Sequence, residues 1–453
     1  MTVRLTRRSA LLALAGGAVT IATARAQQAP PPAAKAPAAI LISNVRIFDG
    51  VGDQLRPGNL MIVGSKIKQI SPDPITAPPE STVIDGSGRV LIPGLTDAHW
   101  HMMIAPNTLS NLESADPGLM YANAVAEAER TLLRGFTTVR DVGGSTFGMK
   151  AAIDTGVVPG PRVYPSGAFI SQTSGHGDFA PSYARPKEFG GGPSHYEDLG
   201  EFVVADGVDG VLAAVREQLK KGASQIKIGA GGGVISDFDP IDSLQYTPEE
   251  MKAAVQAASD WGTYVAAHVY TVAGIRRALD TGVRSIEHGH LIDEPTVKLM
   301  AERDAWLSTQ PLEPGDNPLS PEQAEKAQSM VGAWQRILGW AKQHGTKAAF
   351  GTDLLFSPDK TYMQNVMLTR LSQVYTNTQA LKIATSGNCE LFALSGERNP
   401  YKEAKLGVLQ EGAWADMLLV EGDPTQNIDV LKDYERNLAV IVKDGKIHKN
   451  MLG

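Results

Sequence analysis

A chain of 453 residues, 43% hydrophobic and 20% charged, is long enough for one large domain with an appendage and has an ordinary globular composition. Its formal net charge of -7, with no run of lysines and arginines, argues against nucleic acid as a main partner. The single cysteine, Cys389, excludes an intramolecular disulfide and thiolate metal clusters.

Arg4, Arg7 and Arg8 precede an apolar run from Ala10 to Ala22, and Ala24-Arg25-Ala26 supplies small residues for cleavage. Residues 1–26 therefore read as an export signal, with Thr6-Arg7-Arg8-Ser9-Ala10-Leu11-Leu12 of twin-arginine type, which places the protein in a bacterial periplasm or outside the cell. No later run is long enough to span a bilayer. Residues 27–39 are Pro/Ala-rich and read as a tether. From Ile40 to Val90 short β-type runs alternate with turns such as Asp49-Gly50 and Asp85-Gly86. A matching set, Ala415 to Val420 and Ala439 to Val442 before Lys443-Asp444-Gly445-Lys446, closes the chain. These ends predict one β-sandwich from both termini, 40–94 and 403–453, flanking a central region of 95–402.

That central region repeats helix, glycine, strand. Tyr121 to Arg134 leads through Gly135 to Phe136–Asp141, Gly210 to Lys221 through Gly222 to Gln225–Ile228, and Pro248 to Trp261 through Gly262 to Tyr264–His268. Val272 to Thr281 leads through Gly282 to Arg284–His288, and Gln323 to His344 through Gly345 to Lys347–Asp353. Each glycine sits where a helix C-cap takes a left-handed residue, and Thr247, Pro248 and Glu250 form a capping box. Strands at Ile92 to His101, Arg162 to Ser166 and Ala305 to Gln310 bring the count to eight, which predicts an α/β fold with a closed (β/α)8 barrel. An open doubly wound sheet is the alternative.

In such a barrel chemistry lies at the carboxyl ends of the strands. Those ends carry His99, His101, Lys227, His268, His288 and Asp353. His99 and His101 share one strand face, the spacing of paired metal ligands. Four of the nine histidines occupy such ends, and imidazole with carboxylate and no sulfur suits Zn²⁺ or a similar divalent ion. A lysine cation among metal ligands is repelled. Its reaction with CO2 gives an anionic carbamate able to bridge two ions; the alternatives are pairing with Asp353 or binding a substrate carboxylate.

The run Val90 to His101, Lys227, His268, Ile286-Glu287-His288-Gly289, Gly351-Thr352-Asp353 and the tail Gly412 to Pro424 together resemble the metal-dependent amidohydrolase superfamily. Gly175-His176-Gly177-Asp178 and Ile226-Lys227-Ile228 are similar to the imidazolonepropionase-like branch, with Xaa-Pro dipeptidases, carboxypeptidase-like members and ochratoxin-degrading amidases. The resemblance implies one metal ion on His99, His101 and Asp353, a second on His268 and His288, and N6-carboxylysine at Lys227 between them. It implies that His176 and Tyr270 contact the substrate's carbonyl or carboxylate, and Tyr270, two residues past His268, points the same way if the strand continues. A hydroxide bridging two ions, generated as they lower a water's pKa toward about 7, would attack the amide carbon with Asp353 as proton shuttle and Tyr270 or His176 helping one ion to stabilise the oxyanion.

Ser386-Gly387-Asn388-Cys389-Glu390 and Tyr362 to Asn365 depart from the commonest pattern, and apart from His176 the loop from Ser171 to Asp209 carries no legible chemistry. The chain is expected to be an exported hydrolase of small-molecule amides or dipeptides that releases a C-terminal amino acid, hydrophobic rather than basic. Self-association into a homo-oligomer is compatible with this expectation. A cyclic-amide hydrolase is the rival, and an exported metal- or ligand-binding protein without catalysis is the remoter one.

Overall fold

The computed structural model describes residues 39–453; the expected signal and all of the tether except Ala39 lie outside the described residues. Strands β1 (Ala39–Ile47), β2 (Arg56–Val63), β3 (Lys66–Ser71), β4 (Thr82–Asp85) and β5 (Val90–Pro93) open the chain. The strands of the central region follow: β6 (Leu95–Trp100), β7 (Phe136–Asp141), β8 (Arg162–Pro165), β9 (Phe169–Ser171), β10 (Phe202–Val204, paired with β9 at the sheet edge), β11 (Ile226–Gly229), β12 (Val265–Thr271), β13 (Ser285–Leu291), β14 (Trp306–Ser308) and β15 (Lys347–Ala349). Strands β16 (Met417–Val420), β17 (Leu438–Lys443) and β18 (Lys446–Asn450) end it.

The two β-rich ends meet directly. Their strands form one eight-stranded sheet in the order β18-β17-β16-β5-β1-β2-β3, with β4 also on β1. β5 is the joint, parallel to β1 and antiparallel to β16, with Val90 opposite Val420 and Pro93 opposite Met417. Ile42, Leu60, Ile62, Leu91, Met417, Leu419 and Val440 bury its core.

The expected strand Ile92 to His101 is two strands in two sheets. Gly94 marks the change: its N–H donates to Asp416 O at 3.0 Å, while the next, of Leu95, donates to Gly135 O at 3.0 Å. A Cβ at Gly94 would lie 2.0 Å from Thr137 Oγ1, so only glycine allows the chain to cross here.

The barrel runs as two parallel sheets, β6-β7-β8 and β10-β9-β11-β12-β13-β14-β15. It closes through Ala98 N–H to Phe350 O at 2.8 Å, Asp353 N–H to His99 O at 2.8 Å and Ser224 N–H to Pro165 O at 2.7 Å. Strand alternation divides the side chains. Ile226, Ile228, Val265, Ala267 and Ile286 pack outward on Val215, Leu219, Ala254, Ala258, Ile275 and Ala278 of the helices. Lys227, Ala266, His268, Ser285 and Glu287 are thereby turned inward.

The helix expected over Gln323 to His344 is two, Pro321–Gln328 and Ala333–His344, because Gly332 takes a left-handed φ of 69° between them. Helices Phe147–Asp154 and Glu294–Glu302, not anticipated, also cover the barrel. Among the described residues no helix is long and apolar enough to cross a membrane.

Candidate active site

At the carboxyl ends of β6 and β15, His99 Nε2 lies 3.4 Å and His101 Nε2 3.2 Å from Asp353 Oδ1. The three offer ligand atoms within 4.8 Å of one another. Lys227 Nζ reaches to 3.4 Å of His99 Nε2. His288 extends the cluster from β13, its ring centroid 4.8 Å from that of His99, and His268 from β12 stands 4.4 Å from His288. All six residues are buried. The barrel thus brings together every strand-end residue the sequence singled out.

Hydrogen bonds fix which ring nitrogen each histidine presents. His99 Nδ1 donates to Glu287 Oε2 at 2.7 Å, His101 Nδ1 to Gly143 O at 3.2 Å and His288 Nδ1 to Gln310 Oε1 at 2.8 Å, so each keeps Nε2 as its lone-pair atom. His268 is reversed: Nε2 donates to Gly232 O at 3.2 Å, which leaves Nδ1. Burial first, then the Lys227 charge, holds the His99 pKa well below the usual range; burial does the same for His268 and His288. Neutral imidazoles are the form that binds metal. Burial pushes the Lys227 ammonium down to about 8 against the opposing pull of Glu287 and Asp353.

The shell behind this cluster carries residues that sequence reasoning missed. Glu287 accepts from Arg140 Nη2 at 2.7 and 2.8 Å and from Ser285 Oγ at 2.5 Å as well as from His99. Arg140 also donates to Ala98 O and to Tyr264 Oη. Asp97 takes Thr352 Oγ1 at 2.6 Å and Gln364 Nε2 at 2.9 Å. Asn388 joins β6 to the β15 end by donating to Thr96 O and Phe350 O and accepting from Phe350 N–H. The two segments that departed from the commonest pattern therefore hold the strand ends in place.

Backbone strain coincides with the cluster. His288 at φ 75° and Asp353 at φ 54° are non-glycine residues in left-handed conformation, a cost of order 1–3 kcal/mol each. At His288 the pairing of β13 with β12 also shifts register. The irregularity lets Glu287 and His288, consecutive on one strand, both serve the interior.

Tyr270 lines the mouth, its ring 4.9 Å from His268. Burial holds its phenol well above the usual range, so it is a hydrogen-bond donor. His176 stacks on His268 at 4.0 Å between centroids, and its Nδ1 is 2.7 Å from Ser236 Oγ. Burial, with Lys227 and Lys326, lowers its pKa to about 3. Beyond them opens a cleft walled by Val234, Ile235, Leu312, Leu319, Met330 and Val331, with Glu313 and Asn317 also on it, and among the described residues no lysine or arginine lines it.

Imidazoles with fixed tautomers and a carboxylate, all sulfur-free, form a donor set that fits a divalent ion at His99, His101 and Asp353. A closed parallel barrel with such a set at its carboxyl face defines a class of barrel proteins able to hold a metal ion there. The Amidohydrolase family pattern matches residues 90–449, and the chain belongs to that family. It is 32% identical to ochratoxinase of Aspergillus niger over 384 residues, 80% of this chain and 76% of that one. A prolidase solved with N-methylphosphonate-L-proline superposes with a TM-score of 0.82 at 33% identity, covering 91% of this chain and all of that one. An amidohydrolase crystal structure gives 0.84 at 34% identity over 92% of this chain and all of the other. The protein is a hydrolase of amide or peptide C–N bonds.

Proposed function

We propose that this chain is an exported, binuclear hydrolase that releases a C-terminal hydrophobic amino acid from dipeptides or N-acyl amino acids. The observation that carries this reading is the convergence of six strand-end residues beside a mainly apolar cleft that, among the described residues, no lysine or arginine lines. His99, His101 and Asp353 would hold one ion and His268 and His288 a second, with Lys227 as the bridging carbamate. Carbamylation needs the neutral amine, which the lowered Lys227 pKa supplies. When bound, Zn²⁺-like ions supply Lewis acidity and make water a nucleophile near neutral pH.

The residues of the chain do the rest. Asp353, beside both His101 and His288, takes the proton of the attacking water and returns it to the leaving nitrogen as the C–N bond breaks. Tyr270 Oη, held protonated, donates to the oxygen of the scissile carbonyl or to the substrate carboxylate. His176, neutral and fixed by Ser236, lies alongside. The similarity to ochratoxinase and to a prolidase supports the choice of substrate class.

The test is metal analysis of protein purified without chelators, together with hydrolysis of a panel of N-acyl amino acids and dipeptides. About two ions per chain and release of a free hydrophobic amino acid are expected, and Asp353→Asn should lower kcat by at least about 10²-fold. One ion per chain, or a panel left intact, overturns the reading. Export is checked separately by N-terminal sequencing of protein from the periplasm, expected to begin at Gln27.

A further inference from the structure

Two walls form the outer cleft. One is the loop after β11, with Val234 and Ile235; the other is the helix Pro321–Gln328 and its continuation, with Ala327, Met330 and Val331. Lys326 joins them. Its Nζ lies 3.2 Å from Gly233 O, 2.5 Å from Ser236 O and 3.0 Å from Asp239 O, three carbonyls of one loop for the three N–H donors of one ammonium. From the same helix Gln323 Nε2 donates to Ile235 O at 2.8 Å. The loop closes on itself through Asp239 Oδ2, which accepts from Gly233 N–H at 2.8 Å and Gln245 Nε2 at 3.1 Å.

What the loop touches gives this tie its meaning. Ser236 holds His176, Gly232 O holds His268, and Gly233 packs so closely on the His176 ring that a Cβ there would lie 1.7 Å from Nδ1. The hydrogen bonds of Lys326 go to loop carbonyls and not to the residues proposed for the chemistry, and it reaches His176 only through its charge and through the loop.

The geometry points to Lys326 as a positioning residue that sets the width of the apolar cleft and so selects the substrate's side chain. This rests on the reading of the cleft as the substrate site. Loss of the ammonium takes the shared donor from three carbonyls and leaves the Gln323 bond to Ile235 O to hold the two walls. Arginine is no replacement, because its planar fork does not match a tripod of acceptors.

The experiment compares wild type with Lys326→Met, using one N-acyl group on phenylalanine and on alanine, and measures amide hydrogen exchange across both walls. In the variant, KM for the phenylalanine substrate should rise about tenfold with kcat within about threefold, and the preference over alanine should fall by a similar factor. Exchange should quicken in 231–239 and 321–331. Lys326→Cys alkylated with 2-bromoethylamine, which rebuilds a side chain of lysine's length and charge, should restore both; wild type treated alike controls for Cys389. If Lys326→Met does not fold, Gln323→Ala should give a smaller change of the same sign.

Unchanged preference in an active Lys326→Met protein overturns the proposal, as does unaltered exchange or an alkylated Lys326→Cys that still behaves like the methionine variant. If wild type cleaves neither substrate, the reading of the cleft fails instead, and exchange alone then decides whether Lys326 joins the walls.

Discussion

Arg140 and Glu287 face each other across the barrel interior, both fully buried, and between them they orient His99. The pair is worth little as an attraction, since burying two charges costs about as much as their contact returns. Removing one partner is different. In Arg140→Met, Glu287 is left in the interior without its main donor, and the expected loss is about 3–5 kcal/mol of stability with metal affinity about 10- to 100-fold weaker. Denaturant unfolding of the stripped protein and a metal titration separate the two effects. Lys227 offers a second test, in protein freed of metal and CO2. Its amine titrates near 8 in the fold and at its ordinary 10.5 when unfolded. Between those values the unfolded chain binds the extra proton, so stability rises with pH across the window, by up to roughly 3 kcal/mol at its top, and falls back as pH drops to 8. Urea midpoints from pH 7.5 to 10.5 should show the rise in wild type but not in Lys227→Met.

At the scale of elements, the signals that were legible were local ones. Glycines at helix ends, the capping box at Thr247 and period-two runs mark the βα units because each depends on residues within a few positions. The ends of parallel strands then fall on one barrel face, which is why six dispersed residues foretold one cluster. Arg140, Gln310 and Gln364 escaped notice because their partners lie tens to hundreds of positions away; Arg140 and Glu287 are 147 apart. Glu287 escaped for a further reason. Strict alternation turns it away from His288, and only the left-handed turn and register shift at that residue bring both to the interior. The break at Gly94 was hidden likewise, since β5 and β6 are continuous in hydrophobicity and differ only in which strands they pair with.

For the whole molecule, that break decides how barrel and terminal sheet respond to stress. β5 passes into β6 through one glycine, so the strand bearing His99 is anchored in a sheet completed by residues more than 300 positions later. A second tie crosses the same boundary: Arg162 of β8 donates from Nε to Asp416 Oδ2 at 2.8 Å and from Nη2 to Asp444 at 2.9 Å, and its guanidinium lies over the Trp414 ring at 4.1 Å. Asp416 also accepts from Asp444 N–H, and its own carbonyl receives Gly94 N–H. Barrel and sheet are therefore expected to unfold together. In Asp416→Ala, Arg162 stays buried with only the half-exposed Asp444 carboxylate, which should cost about 3 kcal/mol, in the range for a broken buried pair. Calorimetry should show one transition moved to lower temperature, with metal content and KM of the folded protein unchanged. A second transition confined to the sheet would mean that Gly94 and the Arg162 contacts do not couple them, and that the position of His99 is set by the barrel alone.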